Sequence, residues 1–119
     1  MPSYTVKPSE LANAFDRAAL FMAANKPRKM YTMDAALRYA VGHDLRVFYA
    51  CRNVIRKSLG TSTTAEWLIA NGVPEPEVRG MNGFRNVRAW KLLWMQKLAD
   101  QFARASARSD KPYPFTYPF

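Results

Sequence analysis

The sequence predicts an all-α fold: a single-domain bundle of about four to five helices with a long central C-terminal helix. Apolar residues recur at helical spacing in every long segment. No segment shows the alternation of apolar and polar residues that is typical of a strand. The chain has 119 residues, of which 49% are hydrophobic, and this is enough for one buried core. We therefore predict a helical domain at residues 1–110 and an extended tail at 111–119.

The first part of the chain carries two helix signals separated by a basic loop. Pro8 suits the first position of a helix, and the apolar spacing after it predicts a helix over residues 8–24. Residues 25–31 contain a proline and three cations, which predicts a solvated loop. Thr32 suits the N-cap of a shorter helix that runs to Val41 and is expected to end at Gly42, since a residue without a side chain suits a left-handed cap.

The next helix is the most clearly amphipathic one in the sequence. Asp44 is expected to cap it, and the pattern predicts a helix over residues 45–59 that Gly60 ends. One side is apolar and carries Val47, Phe48, Cys51, Val54, Ile55 and Leu59. The other side is polar and is expected to be solvated; it carries Arg46, Tyr49, Asn53, Arg56 and Lys57, with Arg52 on the border.

Capping and breaking signals divide the segment that follows. Thr63 and Glu66 have the spacing of a capping box, which predicts a short helix that stops before Gly72. Residues 73–83 contain two prolines and two glycines, so we expect at most one helical turn there, near Glu77.

The longest helix is predicted over residues 84–108. Its apolar residues cover a wide arc, which indicates that other elements pack against this helix on more than one side. Leu93 falls within the polar arc, and we expect it to be exposed. The aromatic and aliphatic side chains expected in the core are Trp67, Trp90, Trp94, Leu98 and Phe102.

The tail at 111–119 alternates prolines with four aromatic residues, a pattern that favours an extended path. We expect the aromatic side chains to fold back over the core. The alternative is a docking arm for a partner, because proline lowers the entropy that is lost on binding and aromatic residues contribute strongly to interfaces.

Charge is the strongest global signal. The chain has 18 lysines and arginines against 9 acidic residues, a net charge of +9 and a pI near 10.1. This balance favours a polyanionic partner, namely a nucleic acid, an anionic membrane surface or an acidic protein surface. No apolar run is long enough for a membrane span, and no signal peptide is recognisable at the N-terminus, so we expect a cytoplasmic protein without a membrane partner.

The sequence offers little for catalysis. Cys51 is the only cysteine and lies on an apolar side, so we interpret it as a small core residue. His43 is the only histidine and falls in a turn. The acidic residues show no metal-ligand spacing, and no phosphate-binding loop is recognisable. We therefore expect a binding protein that is not an enzyme and needs no cofactor.

Two helices around Gly42 share features with the helix-turn-helix motif. Leu37, Val41, Phe48 and Cys51 fall where that motif places apolar contacts. The second helix would then present residue types that reach bases and phosphates: Arg46, Tyr49, Asn53 and Arg56. Two residues depart from the motif. Arg38 stands where a small residue is normal, and His43 stands where an apolar residue is normal. An ordinary helical hairpin with a solvated polar face is the alternative.

A second basic constellation lies at residues 79–88. Its glycines let the backbone approach a ligand, the start of the long helix offers unpaired amide groups, and forked donors come from Arg79, Arg85 and Arg88. These features predict a site for a phosphate or for a partner's carboxylate. The alternative is a closed loop in which Glu75 and Glu77 neutralise the arginines.

Two functional hypotheses follow. The first is a nucleic-acid-binding protein that contacts phosphates mainly through the helix at 45–59 and the loop at 79–88. The second is an adaptor or inhibitor, of the type carried by phages or mobile elements, that docks on an acidic surface of a host protein complex. A continuous basic stripe favours the first, and a compact cluster beside an apolar patch favours the second.

Overall fold

A computed structural model describes residues 3–24, 33–42, 44–61, 64–70, 72–79 and 83–116 of the chain. Within these ranges the protein is a small helical domain, as the sequence predicts. Its six helices are α1 Pro8–Ala24, α2 Met33–Val41, α3 Leu45–Thr61, α4 Thr64–Ala70, α5 Glu75–Arg79 and α6 Gly83–Arg108. The five-residue α5 is the turn expected near Glu77. Among the described residues, no helix combines the length and the apolar character that crossing a membrane requires.

A small two-stranded sheet joins the two ends of the chain, and here the expectation of no strand is wrong. Strand β1, Ser3–Val6, pairs antiparallel with β2, Tyr113–Thr116, so that Tyr4 lies opposite Phe115 and Thr5 opposite Pro114. Among the described residues the sheet has two strands, so each is an edge strand, and an edge strand tolerates a proline that lacks a backbone donor. These four tail residues therefore fold back onto the domain.

The core lies between α1 and the helices around it. Helix α1 makes its principal contact with α6 and also contacts α2 and α3. Trp94 and Leu98 of α6 are buried, as predicted. Phe102 is only half-buried, and its ring stacks on the buried Phe15 with centroids 6.1 Å apart. The side chains of Trp67 and Trp90 lie outside the described part of the structure.

The expectation that Leu93 of α6 is exposed is wrong. Leu93 is half-buried and packs against the core instead of standing exposed. Helix α6 contacts α4 as well as α1, so it is packed on more than one side. Cys51 is fully buried, as expected, and burial raises the pKa of its thiol. A neutral buried thiol is a poor nucleophile, so Cys51 fits a packing role.

Two carboxylates accept hydrogen bonds from backbone amides at the start of α1 and just before it. Glu10 accepts a hydrogen bond from the backbone N–H of Lys7 at 3.0 Å. Asp110 accepts one from the backbone N–H of Ser9 at 2.9 Å and a second from the Ser9 hydroxyl at 2.6 Å. Negative charge is favourable at a helix N-terminus. The contact between Ser9 and Asp110 therefore fastens the segment after α6 to the start of α1, beside the sheet.

Candidate nucleic-acid interface on helices α2 and α3

A tight turn joins α2 to α3. Gly42 has a φ of 62°, in the left-handed region that a glycine adopts without steric cost, as expected for a helix C-cap. The backbone N–H of Asp44 donates to the carbonyl oxygen of Val41 at 3.2 Å. The carboxylate of Asp44 accepts from the N–H of Val47 at 3.4 Å, which makes Asp44 the predicted cap of α3. His43 lies outside the described residues.

The apolar contacts expected of a helix-turn-helix pair are present. Leu37 and Cys51 are fully buried, Phe48 is nearly so, and Val41 packs half-buried against the core. Both helices also pack against α1. This shared contact fixes the orientation of α2 relative to α3, and with it the relative positions of their polar sides.

Arg46 does not belong to a solvated face, and that expectation is wrong. Its side chain is 31% exposed and its guanidinium forms a salt bridge with Glu10 of α1. The same group donates to the carbonyl oxygen of Thr5 in β1 at 2.6 Å and lies 3.4 Å from the carboxylate of Asp44. Arg46 therefore ties the first turn of α3 to α1 and β1, through partners that lie 36 and 41 residues away in sequence.

This ion pair predicts a pH dependence of stability. The hydrogen bond from Arg46 holds the pKa of the Glu10 carboxyl below its usual value of 4.5. Partial burial raises this pKa, and the hydrogen bond from the Lys7 amide lowers it further. A carboxyl whose pKa is lowered by folding contributes stability above its unfolded pKa and loses that contribution as the pH falls through its folded pKa.

Replacing Glu10 with glutamine (E10Q) is therefore expected to lower the melting temperature at neutral pH. The difference between wild type and E10Q should narrow once the pH falls below 4.5, because the wild-type carboxyl then becomes neutral as well. Thermal melts of both proteins at a series of pH values measure this difference in melting temperature. A difference that stays constant down to about pH 3 would show that the charge of Glu10 is not what stabilises this contact.

The remaining polar residues of α3 lie beyond its first turn. Arg56 and Lys57 are exposed, and Tyr49, Arg52 and Asn53 are half-buried. The whole of α3, Leu45–Thr61, contains no aspartate or glutamate. Arg46 pairs with Glu10, and the other cations of the helix, Arg52, Arg56 and Lys57, lie in its middle and second half.

Arg38 of α2 adds to this charge. The sequence marks it as a departure from the helix-turn-helix pattern at the close approach of two helices, but the structure places it on the exposed side of α2. Its guanidinium carbon lies 5.6 Å from the ring centroid of Phe48, and that of Arg52 lies 5.8 Å from the same centroid. One buried ring thus brings arginines of both helices to one surface. We refer to Arg38, Arg52, Arg56 and Lys57 as the basic cluster.

An exposed aromatic side chain that is not among the predicted site residues lies next to Arg38 of the basic cluster. Tyr39 follows Arg38 on α2, is 68% exposed, and stacks on Phe21 of α1 with ring centroids 4.1 Å apart. Leu20, beside Phe21, is 62% exposed. A spacing signal was available: Ala35, Arg38 and Tyr39 stand at i, i+3 and i+4 and therefore share one helix face, which the structure shows to be exposed.

The second predicted site, at residues 79–88, stays a prediction. Helix α5 ends at Arg79 and α6 begins at Gly83, close to the expected start near residue 84. Residues 80–82 lie outside the described part of the structure, as do the side chains of Arg79, Arg85 and Arg88.

The outer side of α6 is also basic, but its charge is partly compensated. Lys97, Arg104 and Arg108 line one open groove together with Asp100. Arg104 pairs with Asp100 at 3.0 Å, one helical turn away. This side differs from α3 because it carries a carboxylate among its cations.

Comparison with known protein families, curated proteins and solved structures gives no match to this chain. The case for a function therefore rests on the residues of the site.

Proposed function

We propose that this protein is a small, non-catalytic nucleic-acid-binding protein whose basic cluster on α2 and α3 contacts backbone phosphates. The observation that carries the proposal is the composition of this surface. It gathers four cations from two helices, and α3, which supplies three of them, contains no carboxylate. A cluster of cations raises the local concentration of a polyanion and speeds its association.

The residue types suit phosphate in particular. An arginine guanidinium offers a planar fork of donors that matches two phosphate oxygens, and three of the four members of the cluster are arginines. The packing of Arg38 and Arg52 against Phe48 restricts both side chains before any ligand arrives. Less conformational entropy is then lost on binding.

The position of Arg46 argues for backbone contacts over base readout. In a helix-turn-helix protein the first residues of the second helix reach the base edges. Here the first turn of α3 is tied to Glu10 and Thr5, so Arg46 is engaged within the protein. The surface that is left for a ligand lies further along α3, where Arg56 and Lys57 are exposed.

The test is a triple variant that removes charge while keeping a polar side chain that helices tolerate: Arg52→Gln, Arg56→Gln and Lys57→Gln. Each phosphate contact contributes about 0.9 to the slope of log K against log salt for a duplex, so the slope should become shallower by about 2 to 3. The affinity at low salt should fall by roughly ten- to a hundredfold. Fluorescence anisotropy with labelled duplex and single-stranded oligonucleotides at several salt concentrations measures both.

The matched control removes the same charge from α6: Lys97→Gln, Arg104→Gln and Arg108→Gln. It should change the slope by less, because these cations lie beside Asp100. Equal losses in the two variants would mean that net charge alone drives binding and that the basic cluster is not the site. Absence of binding by the folded wild type to any oligonucleotide at low salt would refute the proposed function.

A second candidate function is a protein adaptor or inhibitor that docks on an acidic surface of a host complex, as phage or mobile-element accessory proteins do. The exposure of Tyr39 beside Arg38 favours it, and Leu20 of α1 is exposed as well, since exposed apolar side chains are frequent at protein interfaces. A pull-down from lysate with and without nuclease separates the two functions. Material that is captured through nucleic acid should be lost after nuclease treatment, and a directly bound protein should remain.

A further inference from the structure

The ring of Tyr39 is held at the surface in a way that leaves one of its faces available. One face stacks on Phe21 at 4.1 Å with an interplanar angle of 24°, yet 68% of the residue is exposed. Stacking limits the rotation of the ring, and the exposure shows that its other face meets solvent. An aromatic ring that is already oriented loses little entropy when a second flat group stacks on it.

The neighbouring charges indicate which flat group would suit this position. Arg38 precedes Tyr39 on the same exposed face of α2, and its guanidinium packs on the ring of Phe48, as that of Arg52 does. The open aromatic face therefore adjoins Arg38, the member of the basic cluster that α2 supplies. A ligand that fits both presents a planar ring beside a chain of negative charges, and this combination is typical of an unpaired nucleotide.

We infer that Tyr39 is a stacking platform for an unpaired nucleobase, and that the protein prefers single-stranded nucleic acid over duplex. The inference rests on the proposed function, since the phosphates of the same strand would bind the basic cluster. In a duplex the bases are already stacked on each other and their faces are not available to Tyr39. A single strand can turn one base onto the ring while its backbone follows α2 and α3.

The experiment compares three substitutions at this position with one beside it. Tyr39→Phe keeps the aromatic face, Tyr39→Leu keeps an apolar side chain against Phe21, and Tyr39→Ala removes both. Leu20→Ala is the control for loss of exposed apolar surface. Anisotropy titrations use three labelled probes of equal length: a single-stranded thymidine oligonucleotide, the same length of abasic deoxyribose-phosphate backbone, and a duplex.

We expect binding to weaken only when the probe has bases and only when the variant lacks the aromatic ring. Tyr39→Ala and Tyr39→Leu should weaken binding of the thymidine strand by about tenfold or more, and Tyr39→Phe should retain it. Binding of the abasic strand and of the duplex should change less than about twofold in every variant, because these probes place no free base on the ring. The salt slope should not change, since no charge is removed. Leu20→Ala should behave as wild type.

Failure of the inference is distinguishable from failure of the proposed function. If the wild type binds the thymidine and abasic strands equally, or if Tyr39→Leu matches wild type, there is no stacking site, although phosphate binding stands. If the wild type binds none of the three probes at low salt, both proposals fall. Equal losses in Tyr39→Leu and Leu20→Ala would identify a general apolar contact and would also overturn the inference. The comparison of Tyr39→Phe with Tyr39→Leu holds even if Tyr39→Ala proves too unstable to assay.

Discussion

Replacing Phe15 with alanine is expected to lower the free energy of unfolding by about 3 to 5 kcal/mol. Phe15 has no exposed surface and stands on α1 where α1 packs against α6, with its ring stacked on Phe102 at an interplanar angle of 14°. The loss combines the transfer free energy of the ring with the cost of the cavity that it leaves. Since small domains are stable by only about 5 to 15 kcal/mol, this variant should lie close to unfolding at 37 °C.

Urea denaturation followed by circular dichroism measures the effect, and Leu20→Ala is the matched control on the same helix. Leu20 lies on the opposite, exposed side of α1, so its loss should change stability by no more than about 0.5 kcal/mol. If Phe15→Ala were as mild as Leu20→Ala, the contact between α1 and α6 would not be the main source of stability.

Replacing Leu37 with alanine is expected to cost about 2 to 5 kcal/mol and to loosen α2 before the rest of the domain. Helix α2 has nine residues, too few for a stable helix in isolation, so its structure depends on packing. Leu37 is fully buried among the residues of the core. Alanine is the best helix former, so the loss cannot come from helix propensity.

Hydrogen exchange of the α2 amides, together with urea denaturation, measures this result. The control is Tyr39→Ala on the same helix, which removes a largely exposed ring and should cost about 0.5 to 1.5 kcal/mol through its contact with Phe21. Faster exchange confined to α2 in Leu37→Ala would show that packing holds this helix. Unchanged exchange in α2 would contradict that account. The outcome bears on binding as well, because α2 positions both Arg38 and Tyr39.

Signals within a few residues of each other determined most of the fold from the sequence alone. Helical periodicity, and for α4 a capping box, located the five longer helices of the described residues to within about four residues, and the caps at Gly42 and Asp44 are where the sequence places them. The burial of Trp94 follows from the same periodicity. These features depend on contacts between residues three to five positions apart, which a helix makes whatever surrounds it.

The features that join distant parts of the chain depend on tertiary contacts, which the sequence pattern does not show. The pairing of Tyr4 with Phe115 depends on a partner about a hundred residues away, and a strand of four residues with a proline leaves no pattern strong enough to find. The helical pattern of α3 places Arg46 on the solvent side, but in the structure Arg46 pairs with Glu10 of α1 and joins α3 to α1.

The candidate site divides in the same way. The cations of α3 could be named from their helix face, because that face is a property of the sequence. That Arg38 joins them at Phe48, and that Tyr39 stands open on Phe21, depends on how α1, α2 and α3 pack. Periodicity tells which side of a helix is polar. Which neighbouring helix shares that side follows from packing between elements far apart in sequence, and a local pattern carries no information about it.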